Sequence, residues 1–215
     1  MRHCPDLGPI LVLMTDDPRV AKARPVRKRF LRLLDALEQV RARYAVCGAV
    51  ALGAHGVRRF TEDIDLLLAP ADVEPLLAAL RRSFREVGRQ PKKGAPYQIK
   101  LRSIRTHRTN VDIDLLVPVD AAEEWALASA QRGKLFGRRV DVVSPEALVV
   151  LKLRAHLSDP ESPSGLKHLA DAVALVQATP LDRRTLQRFV SSDQPLAAAL
   201  MRAFAAPTPQ GRIRR

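Results

Sequence analysis

The tripeptide Asp-Ile-Asp occurs twice in this chain, each time inside an otherwise apolar segment that is typical of a buried strand, "EDIDLLLA" and "NVDIDLLV". Residues two apart on a strand project to the same face, so Asp63 projects together with Asp65. In the second copy Asp112 projects together with Asp114. Like charges on one face of a core strand repel and raise each other's pKa unless a cation lies between them. If the two strands are neighbours in one sheet, carboxylates from both copies meet at one site.

The chemistry that such a carboxylate cluster serves is metal binding. Mg²⁺ takes one or two carboxylates and completes its coordination with waters and substrate phosphates. Two ions roughly 3.5–4 Å apart stabilise the attacking and leaving oxygens of phosphoryl transfer. We therefore expect Asp63, Asp65 and one aspartate of the second copy to bind two Mg²⁺ ions, and spacing alone does not separate Asp112 from Asp114. The alternative is a strand end at which the aspartates simply reach solvent.

Two further features indicate phosphate binding. Gly48 lies at a predicted junction between the strand "YAVCG" and a helix, where free backbone N–H groups and the helix dipole favour an anion. Lys152 lies in "ALVVLKLRAHL", a predicted helix that is apolar almost all round. A lysine there must extend to the surface or find an anionic partner, such as a phosphate or a carboxylate of the site.

The order of the predicted elements indicates an α+β fold. The segments "YQIKLRS" and "NVDIDLLVP" are expected to be antiparallel neighbours, and "GRQPKKGAP", which follows the predicted helix "ADVEPLLAALRRSF", is expected to be an exposed loop. We predict a small mixed or antiparallel sheet flanked by helices and followed by a C-terminal helical part. The predicted boundaries are a poorly ordered leader at 1–27, a core at 28–144, a helical region at 145–205 and a basic tail at 206–215.

Composition adds a partner class and a compartment. The net charge of +13 favours an anionic partner such as nucleic acid or a phosphorylated substrate, although an arginine-rich composition bias gives the same number. The two cysteines, Cys4 and Cys47, lack metal-ligand spacing and fit a reducing cytoplasm. The apolar run "PILVLM" is far too short to span a bilayer. We therefore expect a cytoplasmic protein without a membrane partner.

These residues together resemble a known superfamily. Gly48-Ala49, then thirteen residues, then Asp63-Ile64-Asp65 is similar to the glycine pair and Asp-x-Asp of the DNA polymerase β-like nucleotidyltransferases. More narrowly, "YAVCGAVALGAHGVRRFTEDIDLLL" resembles the AbiEii/AbiGii-type nucleotidyltransferases, many of them toxins of toxin–antitoxin or phage-defence systems. The residues that match this pattern one by one are Arg59, Thr61, Asp63 and Asp65. In the later lysine-bearing helix and "K-D-L-x-D" helix of that group, the matching residues are Lys152 and Asp171.

The resemblance implies a nucleotidyltransferase fold and the transfer of a nucleoside monophosphate from an NTP. It implies that Asp63, Asp65 and Asp114 hold the metals, with Asp112 as the alternative third ligand, and that Lys152 meets the triphosphate. The residues implied to bind the nucleotide are Gly48, Ala49, Arg59, Thr61, Lys152 and Asp171. For two of these residues another interpretation is open. Arg59 either contacts a phosphate or is simply solvated, and Asp171 either serves the site or pairs with Lys167 on the helix surface.

The chain departs from the family pattern at two positions. Ala49 stands where the family has a second glycine or a serine, so a hydroxyl toward the phosphates is missing. His168 replaces the first aspartate of "K-D-L-x-D". Neither change touches the expected metal ligands, but both put efficiency or donor preference in doubt.

Three functions remain open at this point. The first is NMP transfer to RNA by a toxin-like enzyme with a cognate antitoxin, and tRNA is the expected acceptor. The second keeps the enzyme and changes the acceptor to a protein or to a small molecule such as an aminoglycoside. The third is a catalytically weak nucleotide- or RNA-binding partner, or an antitoxin.

Overall fold

The structure is a computed structural model that describes residues 23–57, 61, 63–92, 95–104 and 112–207. For residues 23–26, 91–92, 95–96 and 112 it describes the backbone alone. Within these ranges there are eight α-helices and seven strands, with a short 3₁₀ turn at Pro70–Asp72. In chain order they are α1 (Ala23–Gln39), β1 (Tyr44–Val46), α2 (Gly48–Ala54), β2 (Ile64–Leu68), α3 (Val73–Leu80), β3 (Phe84–Lys92), β4 (Ala95–Ser103), β5 (Asp112–Val117), α4 (Ala121–Ala128), β6 (Gln131–Leu135), β7 (Arg138–Val142), α5 (Pro145–Ser158), α6 (Pro163–Ala178), α7 (Arg183–Val190) and α8 (Gln194–Ala205).

The seven strands form one mixed sheet in the order β3-β4-β5-β2-β1-β7-β6. Strand β2 runs parallel to β5, and β1 runs parallel to β7, whereas the other neighbours are antiparallel. The predicted fold class, a mixed sheet flanked by helices with a helical C-terminal part, is confirmed. The predicted antiparallel pairing of β4 with β5 is also found.

The segment "GRQPKKGAP" was expected to be a loop, and that expectation is wrong for most of it. Strand β3 continues to Lys92 and β4 begins at Ala95, so Gly88, Pro91 and Pro96 lie within strands. A proline is tolerated here because β3 lies at the edge of the sheet, where one side of the strand has no neighbour. The hairpin extends the sheet outward from β5.

Helix α1 begins at Ala23, inside the segment predicted as the leader. Its apolar stripe, Phe30, Leu33, Leu34 and Leu37, is almost completely buried, as the 3.6-residue period requires. The remainder of the leader, residues 1–22, and most of the basic tail lie outside the described residues.

Helix α5 is the centre of the C-terminal part. Ser144 caps its N-terminus by accepting a hydrogen bond from the Ala147 N–H at 3.3 Å, and Pro145 occupies the first turn. The core cluster of the protein includes residues of the sheet and of α5. The division at residue 145 therefore stays a prediction about sequence organisation.

Candidate active site

The two Asp-Ile-Asp copies lie on neighbouring parallel strands. In the register of β2 and β5, Ile64 lies opposite Ile113 and Asp65 lies opposite Asp114. Both isoleucines are buried on one face of the sheet, so both aspartates project from the other. Neighbouring strands are about 4.8 Å apart, which brings the two carboxylates to one place. The second copy was expected to supply a carboxylate beside Asp65, and the backbone pairing supplies it at Asp114.

Asp114 is held by Gln98, a residue that was not among the predicted site residues. Gln98 of β4 donates a hydrogen bond from Nε2 to Asp114 Oδ2 at 2.8 Å, and Gln98 is itself 6% exposed. Lys100 Nζ, two residues along β4, lies 3.9 Å from the same oxygen. The alternation along β4 predicts that Gln98 and Lys100 share a face. Only the register of β4 against β5 shows that this face is the one that carries Asp114.

Gly48 fits closely against Asp65. Its φ is +61°, a left-handed conformation that side chains rarely adopt, and a Cβ added there would lie 1.8 Å from Asp65 Oδ2. The Cys47 N–H donates to the Asp65 backbone carbonyl at 2.9 Å and so ties this turn to β2. The glycine is needed because the backbone at the start of α2 passes directly over the carboxylate.

Cys47 is fully buried behind this turn. Burial raises the pKa of its thiol well above the usual value, and the nearby Asp65 carboxylate adds to the effect. The thiol stays neutral at physiological pH and acts as a small apolar side chain. It is therefore a packing residue of the site.

Lys152 and Asp171 form a buried ion pair. Lys152 Nζ donates to Asp171 Oδ2 at 2.8 Å, and each side chain is only 8% exposed. Lys152 therefore does not extend to the surface; it finds a carboxylate, as its apolar surroundings demand. The alternative for Asp171, a surface pair with Lys167, is wrong because Asp171 is buried against α5.

A cavity of about 130 Å³ lies between the sheet and the C-terminal helices and joins these residues. Its lining includes Asp65, Asp114, Lys152 and His168. The rest of its described lining is polar or charged at Gln98, Glu123 and Arg154. It is apolar or small at the other positions: Cys47, Gly48, Leu116, Leu148, Leu151 and Ala155. A cavity with an apolar wall and a few converging charges is typical of a small-molecule site.

The other predicted site residues are placed less centrally. Asp63 is exposed and precedes the first residue of β2. Its backbone N–H donates to the Thr61 hydroxyl at 3.2 Å, so Thr61 shapes the entry to β2. Ala49 follows Gly48 in the first turn of α2 and is buried. Arg59 lies outside the described residues, and of Asp112 only the backbone is described.

A second charged cluster borders the cavity and was not predicted from the sequence. Arg154 donates from Nη1 to Asp120 Oδ1 at 2.9 Å, and its Nη2 contacts the other oxygen of the same carboxylate. Asp120 also caps α4 through the amides of Ala122 and Glu123. The Arg154 hydrogen bond is the main cause that lowers the pKa of Asp120, whereas burial raises the pKa of Glu123. This cluster fixes α4 against α5.

The donor set fits a magnesium ion. Among the described side chains, no group of three His, Cys, Asp or Glu residues is gathered closely enough to hold a metal ion. Asp65 and Asp114 nevertheless supply two in-register carboxylates, the number that Mg²⁺ takes when waters and substrate phosphates complete its coordination. Oxygen-only ligands of this kind do not favour zinc or copper.

Comparison with known proteins agrees with this geometry. A family model described as "Nucleotidyl transferase AbiEii toxin, Type IV TA system" matches residues 32–208. A search of curated proteins finds no relative that matches the sequence. Across the described ranges, no helix is long and apolar enough to cross a membrane.

Solved structures with the same fold include nucleotidyltransferases. The solution structure of the antibiotic-resistance factor ANT(2'')-Ia has a TM-score of 0.57 at 18% identity, covering 80% of this chain and 92% of that one. The crystal structure of ANT(2'')-Ia with adenylyl-2''-tobramycin has a TM-score of 0.53 at 19% identity, covering 81% and 97%. At these identities the likeness shows the fold.

Proposed function

This chain belongs to the AbiEii nucleotidyl transferase toxin family of type IV toxin–antitoxin systems and is a nucleotidyltransferase; we propose that it uses Mg²⁺ to transfer NMP from an NTP to RNA, with tRNA as the preferred acceptor. The observation that carries the proposal is the pairing of Asp65 with Asp114 on β2 and β5, beside Gly48 and the cavity that contains Lys152. The role that we infer in the cell is that of a toxin with a cognate antitoxin.

The NTP binds with its triphosphate between the start of α2 and Lys152. The backbone amides that follow Gly48 and the Lys152 ammonium attract phosphate, and Gly48 and Lys152 both line this cavity. Asp171 holds Lys152 in place in the absence of NTP. The apolar wall of Leu148, Leu151 and Ala155 is suited to cover the nucleoside.

Asp63, Asp65 and Asp114 hold the magnesium, and Asp112 is the alternative to Asp114. When bound, the ion would neutralise the negative charge that develops on the phosphate oxygens during transfer. We propose two ions, because phosphoryl transfer by two metals uses them to stabilise the attacking and the leaving oxygen. Register supports Asp114 as the third ligand, because it lies directly opposite Asp65.

Transfer joins the acceptor to the α-phosphate. An acceptor hydroxyl oxygen forms a bond to the α-phosphorus, the bond from that phosphorus to the bridging oxygen of the β-phosphate breaks, and pyrophosphate leaves. The proton of the hydroxyl passes to a carboxylate of the site, for which Asp114 is our candidate. Its Oδ2 accepts a hydrogen bond from Gln98 Nε2, which orients this carboxylate.

A small-molecule acceptor is the second candidate. ANT(2'')-Ia, which shares the fold, has been crystallised with adenylyl-2''-tobramycin. A net charge of +13 favours an anionic acceptor over a cationic aminoglycoside, which is why we prefer RNA. Arg59, Thr61 and Ala49 keep their proposed contacts with the nucleotide under either acceptor.

The experiment that tests the function is an incubation of purified protein with each α-³²P-labelled NTP, Mg²⁺ and total tRNA. The matched control is the Asp63→Ala variant, and Asp65→Ala is run beside it. Label on RNA that requires both aspartates supports the proposal and identifies the NTP. Label on protein, or on tobramycin supplied in place of RNA, supports the second candidate. Unchanged labelling in both variants excludes these aspartates as ligands.

A further inference from the structure

The sheet face that carries Asp65 and Asp114 continues outward across the β3–β4 hairpin. Lys100 of β4 lies opposite Asp114, and Gly88 of β3 lies opposite Lys100. In the next row, toward the start of β5, Arg102 lies opposite position 112 and Arg85 lies opposite Arg102. Side chains directly opposite each other in a sheet share a face. The two rows therefore lead from the carboxylates to the edge of the sheet.

The charge along these rows is positive once β5 is passed. Positions 85, 88 and 90 of β3 and 98, 100 and 102 of β4 share the carboxylate face, and they carry Arg, Gly, Gln, Gln, Lys and Arg. Lys100 has a side chain that is 43% exposed, and Arg85 is exposed. We call this surface, defined by Arg85, Gly88, Lys100 and Arg102, the basic hairpin face.

The opposite face of the same hairpin is different. Leu101 and Ile99 are buried there, and Arg89 of β3 forms ion pairs with Glu74 at 2.8 Å and Glu86 at 2.9 Å. The arginine on the core side is thus neutralised within the protein. On the other face, Lys100 Nζ lies 3.9 Å from Asp114 Oδ2 and Arg85 is exposed, so the cations of that face extend from the carboxylates to the sheet edge.

The geometry of the basic hairpin face suits a polynucleotide. Two strand spacings, about 10 Å, separate the strand of Asp114 from the edge strand of Arg85. That is farther than a single phosphate held at the carboxylates extends, so Arg85 is placed for a second phosphate. Gly88 lies between, and a Cβ there would contact only the Lys100 Cβ at 4.0 Å, which leaves room for a chain to pass closely.

We propose that the basic hairpin face binds the phosphate backbone of the RNA acceptor next to the hydroxyl that receives the nucleotide. This inference rests on the proposed function, since it assigns a surface to the RNA of that reaction. Lys100 contacts the phosphate nearest the reacting hydroxyl, and Arg102 and Arg85 contact the chain as it leaves the sheet edge. Arginine and lysine are the usual partners of nucleic-acid phosphates, and such contacts carry no base specificity.

The test compares two arginines of one strand. Arg85→Gln removes a cation from the basic hairpin face, and Arg89→Gln removes one from the opposite face. Binding of a fluorescein-labelled single-stranded RNA 20-mer is followed by anisotropy at several salt concentrations, without NTP. We expect Arg85→Gln to raise Kd roughly fivefold and to reduce the salt slope by about 0.7, the value for one lost single-strand phosphate contact. Arg89→Gln should leave both close to the wild-type values.

A second variant tests the basic hairpin face by placing a bulky, negatively charged side chain in the path of the RNA. Gly88→Glu is compatible with the open space at that position and places a carboxylate beside Lys100. It should weaken RNA binding at least as much as Arg85→Gln while leaving thermal stability unchanged. NTP affinity, measured separately, should be the same in Arg85→Gln and in the wild type. A change in NTP affinity without one in RNA affinity would assign Arg85 to the triphosphate and overturn the inference.

The outcomes separate this inference from the proposed function. Equal effects of Arg85→Gln and Arg89→Gln, or no effect of either, overturn the inference, as does a wild-type protein that binds no RNA. RNA binding that depends on Arg85, together with label only on a protein or a small molecule, leaves the surface standing and contradicts the proposed acceptor. If the wild type labels RNA but Arg85→Gln binds RNA as tightly as the wild type, the proposed RNA-binding role of the basic hairpin face is contradicted and the proposed function is not.

Discussion

Lys152 Nζ lies 2.8 Å from Asp171 Oδ2, and both side chains are buried between α5 and α6. A charge in such a place is stable only while its partner is present, because desolvation of one unpaired ion costs several kcal/mol. The pair keeps an ammonium group inside a cavity that also contains two carboxylates. It therefore links the stability of the C-terminal helices to the electrostatics of the site.

Breaking this pair from either side should destabilise the protein. We expect Asp171→Leu or Lys152→Met to lower the free energy of unfolding by about 3–5 kcal/mol, because each leaves one buried charge uncompensated. The double variant Lys152→Met/Asp171→Leu should regain most of that loss. Urea unfolding followed by circular dichroism measures all three.

Activity should separate from stability in the double variant. If Lys152 meets the triphosphate, the double variant folds but transfers NMP at least tenfold more slowly than the wild type, a loss of about 1.4 kcal/mol of transition-state stabilisation. Full activity in a folded double variant would show that the pair is structural only.

Gly48 should not tolerate a side chain. Gly48→Ala places a Cβ 1.8 Å from Asp65 Oδ2 at a positive φ, so the turn or the carboxylate must move. We expect loss of transfer of at least tenfold and a lower melting temperature. Gly56→Ala is the matched control, since its φ is +88° but a Cβ there meets nothing within 4 Å. It should cost about 1–2 kcal/mol from backbone strain and leave transfer intact. Similar kinetics in the two variants would contradict the close approach to Asp65.

Gln98 should act as a positioning residue for Asp114. Gln98→Leu removes the 2.8 Å hydrogen bond to Oδ2, so the carboxylate loses the contact that orients it for the proposed Mg²⁺. We expect the Mg²⁺ concentration for half-maximal activity to rise about tenfold or more, with a smaller change in KM for NTP. The control is Gln90→Leu, because Gln90 is the exposed register partner of Gln98 on β3. An unchanged Mg²⁺ requirement in Gln98→Leu would leave the hydrogen bond with a packing role.

The strands that carry the site could be predicted because their information is local. The apolar run after each Asp-Ile-Asp predicts a buried strand, and β2 and β5 are found there. The period of two was expected to place Asp63 beside Asp65, but β2 begins at Ile64 and Asp63 is exposed. The helix of Lys152 could also be predicted from its composition. The partner of Lys152 could be narrowed to a phosphate or a carboxylate but not identified, because Asp171 lies nineteen residues away on another helix.

The β3–β4 hairpin could not be predicted, and neither could the role of Gln98. Two prolines and two glycines predict a loop when only local preference is considered, and edge position overrides that preference. Register between β4 and β5 depends on the whole hairpin, and a slip of one residue would move Gln98 to the opposite face. Contacts of this kind depend on long-range pairing.

His55 gives the protein a pH-dependent stability. Its Nε2 lies 2.7 Å from the Val143 carbonyl, which only accepts, so the ring donates from Nε2. Burial lowers the pKa of His55 below its usual value of 6.5. Below pH 6.5 the unfolded chain therefore binds the proton more readily than the folded one, and the free energy of unfolding falls as the pH decreases. Above that pH the contribution is fully present.

The variant His55→Gln should remove this dependence. Glutamine keeps an N–H donor for the Val143 carbonyl but does not titrate, so the stability advantage of the wild type over His55→Gln should shrink between pH 7.5 and pH 5. Urea unfolding of both proteins across that range measures the difference between their free energies of unfolding. The pH dependence from the carboxylates that the two proteins share cancels in this difference. The neighbouring Glu146 carboxylate raises the pKa of His55, so Glu146→Gln should move the midpoint of the change to lower pH. A difference that stays constant with pH would mean that His55 is accessible to protonation in the folded protein.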